Sequence, residues 1–183
     1  MIDLKNIDKS WTLFLDRDGV INDEKHMDYI NTWEEFKFLP GVKDAIKKFT
    51  EKFGNIFIIT NQRGVAKGFT KLKDLELIHK NLQEEVAAAG GKITKIYFCC
   101  DMEDVSQNRK PNPGMGLQAK KEFPAVDFSK SVMIGNTISD MEFGRNLGTA
   151  INIFIPSTHP HLGVQHPKVD LVFPDLKSVS KAL

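Results

Sequence analysis

The stretch Trp11-Thr-Leu-Phe-Leu-Asp16-Arg-Asp18-Gly19-Val-Ile21 decides how this chain is read. An apolar run rich in strand formers stops at two carboxylates one residue apart, and Gly19 follows. Ligands of open parallel α/β sheets bind just beyond the carboxyl ends of the strands. A strand that delivers two acids to that point delivers chemistry or a metal. Asp and Gly are also ordinary turn residues, so by itself the stretch is equally a strand ending in a solvated turn. The rest of the chain separates the two readings.

Outward from this segment, short apolar runs alternate with segments of helical period, the pattern of a doubly wound α/β fold with a mostly parallel, Rossmann-like sheet. Strands are expected over Thr12 to Leu15, Asn55 to Ile59, Ile93 to Cys99, Ser131 to Ile134 and Ala150 to Ile155, with a short sixth over Leu171 to Phe173. Helices are expected over Val42 to Phe53, Leu72 to Ala89 and Pro113 to Phe123. A fourth, capped by Thr137 or Ser139, should run to Leu147, and Asp175 should cap a last one. In the first helix Val42, Ala45, Ile46 and Phe49 share a face, and Gly54 closes it. Residues 22–39 read as an excursion of mixed polarity. Its Tyr29, Trp33 and Phe36 are candidates for the pocket lining, with packing against the sheet as the default.

The chain has 183 residues, enough for one domain over 1–183 with its own core. Its 41% hydrophobic and 27% charged residues are the mix of a soluble globular protein. A net charge of +1 with both signs interspersed implies no general attraction to nucleic acid or anionic membrane. No segment is apolar for long enough to span a bilayer, and the N-terminus lacks a signal-peptide core, so a cytoplasmic location is expected. A monomer is expected too. Cys99 and Cys100 are adjacent, a spacing that seldom closes a disulfide and cannot complete a zinc site. Cys99 is expected in the core at a strand end, and Cys100 as a free thiol near the site mouth.

Polar groups recur just past the strands: Asp16 and Asp18, Thr60 and Asn61, and Asn136 and Asp140, with Arg109 and Lys110 in a loop beside them. Together they offer carboxylates, hydroxyl and amide donors, a cation and further oxygen ligands. Such a set suits a phosphate ester bound with a hard cation such as Mg²⁺.

These residues resemble, in order, the four motifs of the haloacid dehalogenase superfamily of phosphohydrolases. Asp16-Arg-Asp-Gly-Val-Ile-Asn22 resembles the first and Thr60-Asn61-Gln62 the second. Arg109-Lys110-Pro-Asn-Pro-Gly-Met115 resembles the third, and Gly135-Asn136-Thr-Ile-Ser-Asp140 the fourth. Gln62, Gly64, Val65, Ala66 and Gly68, with Pro111, Pro113, Gly114 and Met115, are similar to a narrower branch. That branch contains heptose 1,7-bisphosphate and histidinol-phosphate phosphatases. The segments between motifs are too short for a separate cap domain, as in that branch.

The resemblance implies that Asp16 is the nucleophile, forming an aspartyl-phosphate, and that Asp18 is the acid/base that protonates the leaving alcohol and then activates water. These duties require an ionised Asp16 and an Asp18 whose pKa is raised. It further implies that Thr60 and the Asn61 amide hold phosphoryl oxygens and that Lys110 neutralises charge beside Asp16. Arg109 would read the remainder of the substrate, with Gln62 and Arg63 as further substrate contacts. Asp16, the Asp18 carbonyl, Asn136 and Asp140 would hold Mg²⁺.

Two departures stand out. Asn136 replaces the usual acid of the fourth motif, so one negative charge is lost and weaker metal binding is expected. The branch's Cys/His/Cys/Cys zinc loop has only Cys99 and Cys100 here, so no zinc site is predicted. His159, His161 and His166 are read as part of a surface loop. The resemblance implies a small phosphorylated metabolite as partner, foremost heptose 1,7-bisphosphate losing its 7-phosphate, with histidinol phosphate as the alternative. A catalytically silent phosphate-binding protein is the alternative of another class, and only Asn136 supports it.

Overall fold

A computed structural model describes residues 2–25, 28–102, 106–158 and 166–183. Its sheet is parallel throughout, with strands β1 (Thr12–Leu15), β2 (Asn55–Asn61), β3 (Lys95–Cys99), β4 (Ser131–Gly135), β5 (Ile151–Phe154) and β6 (Leu171–Val172) in the order β3-β2-β1-β4-β5-β6. The helices are α1 (Val42–Lys52), α2 (Leu72–Ala88), α3 (Gly114–Glu122), α4 (Ile138–Leu147) and α5 (Leu176–Ala182).

Alternation along the strands splits the core into two layers, because successive side chains leave opposite faces of a strand. Leu13 and Leu15, Ile56 and Ile58, and Val132 and Ile134 join one cluster with Ile46 and Phe49 of α1, Ile78 and Leu82 of α2, and Leu176 of α5. Phe14, Phe57 and Met133 join the other with Met115 of α3 and Phe143 of α4. Phe14 stacks on Phe57 and meets Phe143 edge-on. Both faces being covered, β1 is buried along its whole length.

The connections run outward from β1 through β2 to β3, then return to β4 on the other side of β1. That reversal opens a crevice at the carboxyl ends of β1 and β4, where ligands of such sheets bind. The first, second and fourth motifs therefore hang from three adjacent strands.

The sequence boundaries need small changes. β2 runs on through Thr60 and Asn61, because the hydrogen-bonded ladder with β3 continues to the Asn61–Cys99 pair. β3 starts at Lys95 rather than Ile93. Thr137, not Ser139, caps α4: its hydroxyl accepts from the Asp140 amide while the Asp140 carboxylate accepts from the Thr137 amide. In the excursion, Trp33 stacks on Phe36, Phe38 meets both edge-on, and the three join the α1 and α2 layer. Cys99 is buried at the end of β3, and Cys100 is half-buried; both are free thiols.

Candidate active site

A cleft of about 510 Å³ lies at the carboxyl ends of β1, β2 and β4. Asp16, Asp18, Thr60, Asn61, Gln62, Arg63, Arg109, Lys110 and Asn136 line it, so nine of the ten residues singled out in the sequence converge there. Asp140 is set behind them, fully buried.

Lys110 organises the floor. Its Nζ donates to Asp16 Oδ1 at 2.7 Å, Asp140 Oδ1 at 2.5 Å and the Ile59 carbonyl at 2.8 Å. Its backbone is clamped as well: the Lys110 amide donates to Asn61 Oδ1 at 3.0 Å, and Asn61 Nδ2 donates to the Lys110 carbonyl at 3.1 Å. The Asn61 side chain thus fastens the third motif to the end of β2. Asp140 Oδ2 accepts from the amides of Asn136 and Thr137 and from the Thr137 hydroxyl. Both its oxygens are engaged, so Asp140 holds Lys110 and starts α4 instead of facing the cleft. The Asp140 side chain packs on Gly135, where an added Cβ would come within 2.2 Å of the Asp140 Cβ.

Two buried carboxylates share the one Lys110 ammonium. Burial and the neighbouring Asp140 charge push the Asp16 carboxyl up to about 7, with Lys110 opposing them. Burial would lower the Lys110 pKa, but Asp140 and Asp16 outweigh it and raise it.

Asp18 is held differently. Arg17 donates to its Oδ1 from Nη2 at 2.8 Å and Nε at 3.2 Å, Asn22 Nδ2 donates at 3.0 Å, and Gln62 Nε2 donates to Oδ2 at 2.7 Å. Burial raises this carboxyl, yet the Arg17 charge and these hydrogen bonds outweigh it and set it below the ordinary value. The sequence expected the reverse, a raised Asp18 beside an ionised Asp16. The reason for the inversion is Arg17. Its side chain is 1% exposed, and its Nη1 lies 3.1 Å from His79 Nε2 on α2. Neither residue was singled out in the sequence. One signal was available: His79 interrupts the buried face of Leu75, Ile78, Leu82 and Val86.

Gln62 was expected to touch substrate, but its amide donates to Thr60 Oγ1 at 2.8 Å as well as to Asp18. The Thr60 hydroxyl accepts that bond, which leaves its own proton for an anion in the cleft. At the rim, the cations of Arg63 and Lys67 lie beside Tyr29, with Lys67 Nζ 5.7 Å from the centre of its ring. Burial raises the Tyr29 hydroxyl, but the two cations outweigh it and lower its pKa. Tyr29 also stacks on Phe69, so it lines the cleft while Trp33 and Phe36 pack inward. Of the three late histidines, His159 and His161 lie outside the described residues. His166 Nδ1 accepts from the Lys168 amide.

The fit of a hard cation can be judged at Asn136. Its Oδ1 lies 3.2 Å from both Asp16 Oδ2 and the Asp18 carbonyl oxygen, three acceptors when Asp16 is ionised. Adjacent ligands of an octahedral Mg²⁺, with bonds of about 2.0–2.1 Å, are separated by roughly 3 Å. Asp16, the Asp18 carbonyl and Asn136 therefore fit such an ion. Among the described residues no group of three His, Cys, Asp or Glu side chains converges for a metal, so this donor set includes a main-chain carbonyl and an amide.

Residues 12–162 match the family model described as polynucleotide kinase 3 phosphatase. The chain belongs to the haloacid dehalogenase superfamily of phosphatases. It is 41% identical over 145 residues to the D-glycero-alpha-D-manno-heptose-1,7-bisphosphate 7-phosphatase of Campylobacter jejuni, covering 78% of this chain and 82% of the relative. It is 35% identical over 173 residues to the D-glycero-beta-D-manno-heptose-1,7-bisphosphate 7-phosphatase of Pseudomonas aeruginosa, covering 93% and 96%. Among solved structures, the D,D-heptose 1,7-bisphosphate phosphatase of B. bronchiseptica, complexed with magnesium and phosphate, superposes with a TM-score of 0.82 at 25% identity, covering 93% and 96%. The chain is accordingly a phosphoric monoester hydrolase by family. No helix among the described residues is long and apolar enough to cross a membrane.

Proposed function

We propose that this chain is a Mg²⁺-dependent phosphomonoesterase that removes the 7-phosphate of D-glycero-D-manno-heptose 1,7-bisphosphate. The observation that carries the chemistry is the placement of Asp16 against Lys110, with Asp18 locked two residues on at the mouth of the same cleft. The substrate is carried by the names of relatives at 35% and 41% identity.

In this reading the Asp16 carboxylate attacks phosphorus, and the ester oxygen leaves with a proton from Asp18. Asp18 then takes a proton from water, which attacks the aspartyl-phosphate and returns free phosphate and Asp16. Lys110 and the Thr60 hydroxyl stabilise charge on the phosphoryl oxygens, and the Asn61 side chain keeps Lys110 in place. When bound by Asp16, the Asp18 carbonyl and Asn136, Mg²⁺ would offset the charge of Asp16 and of the phosphoryl group. A phosphate dianion beside Asp18 raises its pKa toward the protonated state that the first step needs. Arg17, Asn22 and Gln62 keep its carboxyl aimed throughout. Arg109, Arg63 and Lys67 supply cations for the second phosphate, where a planar guanidinium binds bidentately. Short loops, without a separate cap, shape the pocket.

The family match favours a second reading, a DNA 3′-phosphate as substrate. A net charge of +1 weighs against it, since a nucleic-acid groove is basic. Phosphate release should be measured on both anomers of the heptose bisphosphate, histidinol phosphate and a 3′-phosphorylated oligonucleotide, at several Mg²⁺ concentrations. The highest kcat/KM should fall on one heptose anomer and vanish in Asp16→Asn. Preference for the oligonucleotide would replace the substrate assignment, and no release from any of them would remove the activity.

A further inference from the structure

Asn136 brings no charge to the position where the superfamily usually has an acid, yet a carboxylate stands directly behind it. Asn136 Nδ2 donates to Glu24 Oε2 at 3.3 Å and to Thr158 Oγ1 at 2.8 Å, and the Thr158 hydroxyl donates to Glu24. The three side chains form a closed set in which every proton has an acceptor. Glu24 comes from the loop after β1 and Thr158 from the segment after β5, 134 residues apart in sequence. The cluster sits against Gly19, whose φ is +77° and where a Cβ would come within 2.1 Å of the Asn136 amide nitrogen.

The amide has two orientations with different partners. With Nδ2 toward Glu24 and Thr158, its oxygen joins Asp16 Oδ2 and the Asp18 carbonyl in the trio of acceptors described above. With Asp16 ionised, that arrangement is satisfied when a cation lies among the three oxygens. With the amide turned over, Nδ2 donates to Asp16 Oδ2 and the Asp18 carbonyl, both at 3.2 Å, and the oxygen accepts from Thr158 Oγ1 at 2.8 Å. Thr158 has a single hydroxyl proton. Giving it to Asn136 takes it from Glu24, which also loses the amide donor. Glu24 therefore favours the orientation that presents oxygen to a metal.

We propose that Glu24, together with Thr158, turns the Asn136 amide into a cation ligand and returns, one layer further out, the negative charge that Asn136 lacks. Glu24 is a positioning residue here and does not itself touch the ion. Groups that hydrogen-bond metal ligands commonly set affinity over 10–100-fold. The inference rests on the cation site proposed above, so its test measures metal binding without turnover.

Mn²⁺ binding to the metal-free, full-length chain should be followed by electron paramagnetic resonance, with no substrate present. Glu24→Gln should weaken binding by about tenfold, because Gln accepts the amide proton but carries no charge. Thr158→Val should weaken it as well. Asn136→Asp should tighten it. In the Asn136→Asp background the Glu24→Gln effect should vanish or reverse, because Glu24 would then face a like charge. Thermal unfolding of each metal-free variant separates these effects from loss of fold. If Glu24→Gln binds Mn²⁺ as the wild type does, or is weakened equally in both backgrounds, the positioning role is overturned while the cation site stands. If neither the wild type nor Asn136→Asp binds Mn²⁺, the cation site fails and the inference fails with it.

Discussion

His79 on α2 presents Nε2 to Arg17 Nη1 at 3.1 Å, and Arg17 turns its other edge onto Asp18. Burial first, and then the Arg17 charge, lower the His79 pKa to about 3, so its ring is neutral and accepts the guanidinium proton. A guanidinium at 1% exposure thus has a charged partner on one side and a neutral acceptor on the other. The Asp18 carboxylate is thereby held, through Arg17, by a residue of α2.

Arg17→Met should destabilise the protein by about 3 kcal/mol, since it breaks a largely buried charged pair. Urea unfolding checks this. It should also raise the Asp18 pKa, so the alkaline limb of the pH–rate profile, where Asp18 loses its proton, moves to higher pH.

His79 contributes stability that disappears in acid. Its pKa is depressed from 6.5 to about 3, so below about pH 6.5 the unfolded chain binds a proton that the folded chain refuses. Stability owed to this group is therefore lost as pH falls from about 6.5 toward 3. In His79→Gln that loss should be missing, which denaturant titrations across this range will show.

Asp16 acts in the opposite sense. Its folded pKa of about 7 exceeds the ordinary 3.8, so the folded chain retains a proton that the unfolded chain has lost between about pH 4 and 7. Stability of the metal-free protein should fall across that window and level off above it. Asp16→Asn should remove this slope and also abolish turnover. The Asp16 and His79 windows overlap with opposite signs, so the wild type should show a shallower pH dependence than either variant.

At the rim, Arg63→Ala and Lys67→Ala should raise KM for a bisphosphate by about 10-fold each and leave kcat nearly unchanged. The loss is that of a charge-assisted hydrogen bond, roughly 1.5–3 kcal/mol at most. A simple aryl monophosphate should be hydrolysed by these variants as by the wild type. Steady-state kinetics on the two substrates provides the comparison.

Much of this was legible in the chain. The strand alternation that sorts Phe14 from Leu13 and Leu15 sets the two core layers, and the ordered motifs place Asp16, Lys110 and Asn136 at one end of the sheet. What escaped was long-range pairing among polar side chains. Arg17 and His79 are 62 residues apart, Glu24 and Asn136 112, and no local pattern announces either contact. The lowering of the Asp18 pKa by Arg17 escaped for the same reason, because it depends on a guanidinium buried against α2. Asn61 and Gln62, singled out as substrate contacts, line the cleft, and their side chains brace Lys110 and Asp18.

Asp140 caps α4 and also holds Lys110, which in turn reaches back to Asp16. One carboxylate therefore links helix initiation to assembly of a site whose parts lie 94 and 30 residues apart. Such distant closures come at the cost of loop entropy and complete slowly. Enzymatic turnover in a refolding experiment would then serve as a reporter of the last docking event, lagging behind signals from α1 and α2, whose contacts are complete without α4.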